Sequence, residues 1–106
     1  METKVSVLIK DPGKNPRHVN ISMNPENLRK YVGDCMEVYA PCSDACFISS
    51  AAGYPGILFN FTMFDHRFYG PVIFVGKKDS EYSDVPISFN EAKKIFPEMF
   101  MEVEKA

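Results

Sequence analysis

The chain has 106 residues, 45% of them apolar and 25% charged, with a net charge of −2; this excludes wholesale disorder and leaves room for one core. Residues 1–34 carry six Lys/Arg against four Asp/Glu, and residues 77–106 five against seven. Neither part has the basic stripe that a nucleic-acid reader needs, and the whole is not acidic enough for a DNA mimic.

No basic, then apolar, leader follows Met1, so a signal peptide is not expected. The longest nearly uncharged stretch, 46–64, is broken by Gly53, Pro55, Gly56 and Asn60, which argues against a membrane-spanning helix. Three cysteines without an export signal point to reduced thiols and a cytoplasmic setting.

Lys4 to Lys10 (KVSVLIK) alternates as a strand does, with Val5, Val7 and Ile9 on one face. Asp11-Pro12-Gly13-Lys14-Asn15-Pro16 is a turn-rich loop, after which residues 18–22 alternate again. A hairpin with a long loop is expected. Asn24-Pro25-Glu26 starts a helix, by cap, first-turn proline and acidic residue. Leu28, Tyr31 and Val32 form its apolar stripe, and Gly33 stops it.

Residues 36–40 (MEVYA) and 46–50 (CFISS) read as the next two strands. Beyond a turn at 51–56, Ile57, Phe59, Phe61 and Met63 alternate with Leu58, Asn60, Thr62 and Phe64, a period of two that predicts those four inward. Asp65-His66-Arg67 interrupts the pattern. Val72-Ile73-Phe74-Val75 is a continuous apolar run, as expected of a central strand covered on both faces, and residues 77–83 read as a charged connector. Ser88 and Glu91 have the spacing of a capping box, and Phe89, Ala92, Ile95 and Phe96 give the following helix its stripe. Pro97 should end it, with Met99, Phe100 and Val103 continuing the apolar pattern in a second helical piece.

In this order of elements the chain resembles a small family of unknown function found in phages and conjugative elements of Gram-positive bacteria. The resemblance rests on Asp11-Pro12-Gly13-Lys14, the short helix closing on Val32-Gly33, and Glu37-Val38 opening a strand. Asn60 after a Gly/Pro turn, Gly70-Pro71-Val72-Ile73-Phe74-Val75-Gly76 and the capped helix from Ser88 complete it. It implies an accessory protein of a mobile element and carries over no catalytic residue.

Chemical motifs are sparse. Cys35, Cys42 and Cys46 have loose spacing, and His18 and His66 lie far away in sequence; paired cysteines of a structural zinc site are not there. No metal and no cofactor is expected. A thiol nucleophile at Cys42 or Cys46 with Asp65-His66 as base is a poor fit, since neither cysteine opens a helix. The 11–14 loop lacks the Gly-Lys-Ser/Thr ending of a phosphate loop, although Lys10, Lys14, Arg17 and His18 could still touch an anion.

The segment from Tyr54 to Tyr69 is the richest in rings. It holds five of the fourteen Phe and Tyr residues between Phe59 and Tyr69. Core packing accounts for Phe59, Phe61 and Met63. Phe64, Phe68 and Tyr69 around Asp65, His66 and Arg67 suggest instead a recognition loop, since rings give area at low entropic cost. The structural alternative is a local Asp65–Arg67 contact with the rings covering a sheet end.

The expected architecture is α+β: a mainly antiparallel, twisted sheet of about five or six strands with two helices packed on it. Residues 1–96 form one domain and 97–106 a C-terminal helical extension that could pack on a second copy. The expected function is non-enzymatic: an accessory protein binding a host protein through Phe64, Asp65, His66, Arg67, Phe68, Tyr69 and Tyr54, with Lys14 and Arg17 beside them. Inhibition of a bacterial defence system would suit the origin that the resemblance implies. The alternatives are a sponge for a nucleotide signal, held by Arg67, Lys14 and Arg17 with a stacking tyrosine, and, less well supported, a thiol enzyme.

Overall fold

The computed structural model describes residues 4–40, 43–51, 56–79 and 81–100. These form strands β1 (Lys4–Lys10), β2 (Arg17–Ser22), β3 (Met36–Tyr39), β4 (Ala45–Ser50), β5 (Phe59–Met63), β6 (His66–Lys78) and β7 (Glu81–Ser83), with helices α1 (Pro25–Val32) and α2 (Phe89–Ile95) and a 3₁₀ turn at Pro97–Phe100. The fold is α+β and every strand pairing in its seven-stranded sheet is antiparallel. Among the described residues no helix is long and apolar enough to cross a membrane.

The sheet is organised on β6. Its path runs β2-β1-β6-β4-β3, with β5 and β7 also paired to β6. One side of β6 takes β4 along residues 69–76. The other side takes three partners in turn: β5 at residues 66–69, β1 at 72–74 and β7 at 76–78. The uninterrupted run Val72–Val75 is buried throughout, as expected of a central strand.

Strand alternation divides the core in two. Val5, Val7 and Ile9 of β1, Cys46 and Ile48 of β4, and Ile73 and Val75 of β6 meet Ile21 of β2 and Leu28 and Val32 of α1. On the other face Leu8, Phe47, Phe68, Val72 and Phe74 meet Ala92 and Phe96 of α2 and its C-cap, and Met99. α1 is capped by Asn24, whose side chain accepts from the Asn27 N–H, and α2 has the full capping box of Ser88 and Glu91. Each helix is short and is held by packing rather than propensity.

Two regions differ from the sequence expectation. The charged stretch 77–83 is not a plain connector: β6 continues to Lys78 and turns back into β7. Gly76 permits this approach, since a Cβ there would collide with the carbonyl oxygen of Asp84. In β5 the register slips between Phe59 and Phe61, so Asn60 is an extra, bulged residue. The slip turns Phe59 outward, against the alternating pattern, and leaves it 52% exposed, while Phe61 and Met63 remain buried.

After Pro97 the chain makes the separate helical turn expected of it, and Met99 from that turn is fully buried. Val103 and the rest of the segment beyond Phe100 lie outside the described residues.

Candidate functional site

Asp65-His66-Arg67 is not a loop. Phe64 and Asp65 form a two-residue turn with φ of 57° and 59°, the left-handed pair of a type I′ hairpin. Met63 and His66 close it, and β6 starts immediately at His66. The continuous hairpin sorts the expected site residues by face, because neighbours in a strand point opposite ways.

His66 and Phe68 turn inward with Met63 and Phe61. Phe68 is fully buried, stacked on Phe61 at 4.8 Å and tilted against Phe47 at 5.4 Å. The expectation that Phe68 belongs to a recognition surface is therefore corrected: it is core, as its place opposite Phe61 requires. His66 is half-buried, its ring stacked on Tyr39 at 4.5 Å and edge-on to Phe68 at 4.5 Å. Its Nε2 is buried with no hydrogen-bond partner.

Arg67 and Tyr69 turn outward. Arg67 sits opposite Thr62, and Tyr69 opposite Phe59, whose rings meet edge to face at 5.8 Å. Arg67, Thr62 and Phe59 are exposed and Tyr69 is half-buried. The guanidinium of Arg67 has no ion pair with Asp65 or any other described residue. Leu58, just before β5, is 66% exposed, and Phe64 at the turn is 51% exposed, touching Tyr39 and Phe96 through ring contacts of 6.1 Å. The hairpin therefore has an inner face merged with the core and an outer face of two rings and a cation.

Tyr54 lies outside the described residues. Arg17 is engaged at 2.7 Å with the carboxylate of Asp11, and Lys14 is exposed. None of Lys14, Arg17 and Arg67 lines the cleft beside the hairpin. That cleft, of about 500 Å³, is lined by Lys10, Gly13, Phe59, Asn60, Phe61, Thr62 and Glu98. Lys10 is almost wholly buried, with its ammonium 5.7 Å from the centre of the Phe61 ring. The bulged Asn60 donates from Nδ2 to the carbonyls of Lys10 and Gly70, both at 2.8 Å. Two carbonyl acceptors fix the orientation of that amide, and its Oδ1 is left buried without a donor.

Phe59, Asn60, Thr62 and Glu98 escaped the sequence reading of the site. A strict period of two put Phe59 in the core, and only the bulge reverses it. The isolated polar Asn60 within an apolar strand was the signal that could have marked the slip.

The thiols are separated from the imidazole. Cys46 is fully buried on the α1 face, His66 lies on the opposite face, and Cys35 is exposed; Cys42 lies outside the described residues. Tyr82 packs on the same side as Cys46, and burial first, then the neighbouring thiolate charge, push its hydroxyl above the ordinary tyrosine range. Among the described residues no three His, Cys, Asp or Glu side chains gather in a way that could hold a metal ion.

No curated protein and no solved structure matches the chain. The family model of a domain of unknown function, DUF3846, matches residues 3–99, nearly the whole of it, and the chain belongs to that family.

Proposed function

We propose that the protein is a non-enzymatic binding module that engages a host protein through the outer face of the β5–β6 hairpin. The observation that carries this reading is the exposure of Phe59 beside Tyr69 and Arg67, on a strand whose inner residues are wholly buried. A hairpin this well anchored does not need rings on its solvent side for stability. Aromatic rings beside an arginine are the side chains that carry most energy in protein interfaces. The mobile-element origin implied by the sequence resemblance suits an accessory protein of this kind, with a component of a bacterial defence system as the partner.

The nucleotide-sponge reading has less support. It requires Lys14, Arg17 and Arg67 to converge, whereas Arg17 is held by Asp11 and none of the three lines the large cleft.

The test is affinity purification of the tagged full chain from a Gram-positive host, with proteins and small molecules both identified by mass spectrometry. Wild type should retain one host protein. Phe59→Ala and Arg67→Ala should each weaken that complex by about 1–3 kcal/mol while leaving the melting temperature within a few degrees. Retention unaffected by either substitution, or recovery of a nucleotide in place of a protein, would overturn the proposal.

A further inference from the structure

The outer face of the β5–β6 hairpin belongs to the side of the sheet that α1 covers. Ile48 and Ser50 of β4 are two residues apart and so share a face; they pair with Ile73 and Tyr69 of β6. Ile48 and Ile73 pack against Leu28 and Val32 of α1. Ser50 meets the very end of the helix, its hydroxyl donating to the Val32 carbonyl at 2.6 Å. Cross-strand partners point to the same side, which places Tyr69 and Phe59, and with them Arg67 and Thr62, on the α1 side.

The helix layer stops there. Gly33 ends α1 with φ 90°. Tyr69 is half-buried at this limit, and Phe59, Thr62 and Arg67 past it are exposed. Of the four outward side chains only Arg67 is charged. Among the described residues no carboxylate pairs with it: Asp11 is engaged by Arg17, and Asp34, just after α1, lies 3.9 Å from Arg29. Sheet faces are covered by a second layer of structure, and the uncovered part of this one carries rings and an unanswered positive charge.

Resting on the protein-binding reading above, we infer that the outer face takes an acidic amphipathic helix of the partner protein, laid over the hairpin where the α1 layer leaves off. A carboxylate of that helix forms a forked pair with the Arg67 guanidinium. An apolar side chain one turn along packs on the rings of Phe59 and Tyr69. The spacings agree: Arg67 and Tyr69 are two strand residues apart, about 6.6 Å, and helix positions four apart rise about 6 Å. An extended segment lying across this face would bury backbone N–H and C=O groups unpaired, whereas a helix satisfies its own. A free phosphate would answer Arg67 and leave the rings uncovered.

A display library of random peptides of about 16 residues, long enough for some four helical turns, is panned against the full chain and separately against Arg67→Glu. Wild type should enrich peptides with Asp or Glu one helical turn from a Leu, Ile or Phe. Arg67→Glu should enrich Lys or Arg at that place instead; if this variant does not fold, Arg67→Gln should simply lose the acidic preference. Synthetic copies of the wild-type peptides should gain helical circular dichroism on binding and shift the amide resonances of Phe59, Thr62, Arg67 and Tyr69. Phe59→Ala in the chain, or proline in the middle of the peptide, should each weaken binding about tenfold or more.

The inference is overturned if no peptide is enriched over an unrelated protein, or if the same peptides are selected whatever stands at position 67. It also falls if peptides with a central proline bind equally well, or if the resonances move only with inorganic phosphate or only with rising concentration of the chain itself. Should the panning fail while Phe59→Ala and Arg67→Ala still release the host protein, the helix is wrong and the protein-binding reading stands. Retention of the host protein by both variants would sink that reading instead.

Discussion

Replacing Phe64 by alanine and by glycine, side by side, tests the geometry on which the site assignment depends. Phe64 has φ 57° and is 51% exposed, so about 100 Å² of its ring is covered, given the 150–250 Å² that a whole aromatic side chain buries. At about 25 cal/mol per Å², losing that contact costs up to about 2.5 kcal/mol in either variant. The two then diverge. Alanine retains the left-handed penalty of about 1–2 kcal/mol. Glycine is free of it but loses about 0.4–1 kcal/mol through the greater freedom of the unfolded chain. The glycine variant should therefore be the more stable by about 0.5–1 kcal/mol, the reverse of the order in an ordinary strand. In urea titrations followed by circular dichroism, with a slope near 2 kcal/mol/M, the midpoints should differ by about 0.25–0.5 M. If the alanine midpoint equals or exceeds that of glycine, residue 64 is not left-handed. The Met63–His66 closure then fails, and with it the placing of Arg67 and Tyr69 on the outer face.

Two further outcomes are expected. Ile73→Asp puts an unpaired carboxylate into the middle of β6, on the face covered by α1, and should abolish soluble expression; a soluble mutant with cooperative unfolding would show that the strand is not interior. Tyr82 loses its proton less readily folded than unfolded, so stability should be flat below the unfolded tyrosine pKa near 10 and fall as pH rises through the folded value. Tyr82→Phe should flatten that alkaline decline, and an unchanged pH profile would count against the burial assigned to this ring.

Much of the framework was legible because local signals agreed with the tertiary ones. Val72–Val75 reads as a buried strand and is one; Asn24 and Ser88 read as caps and serve as caps. The failures share a physical cause. Lys77 to Ser83 is charged because β7 is short and lies at the sheet margin, where pairing depends on backbone rather than apolar side chains. Phe59 and Phe68 were exchanged between core and surface, because a single bulged residue shifts one register and a two-residue turn removes the expected loop. Such a slip flips every side chain beyond it, and composition carries no record of it. Lys10 was visible as a basic residue, but its burial beside Phe61 depends on the meeting of β1 with a strand fifty positions later.

The dependence of the whole sheet on β6 has a consequence for the order in which the protein can be made. β1 and β2 pair early in the chain, as do β3 and β4, but neither hairpin contacts the other in the strand order without β6 between them. A nascent chain that has emerged only as far as Gly70 holds the β1–β2 and β3–β4 hairpins and the β5–β6 hairpin, but the first two have no common strand to bring their apolar faces together. Condensation must wait for residues 72–76, which close against β1 and β4 at once. Synthesis therefore exposes unpaired strand edges until most of the chain has left the ribosome, and a stall just before Pro71 would leave a product prone to aggregate rather than a folded fragment.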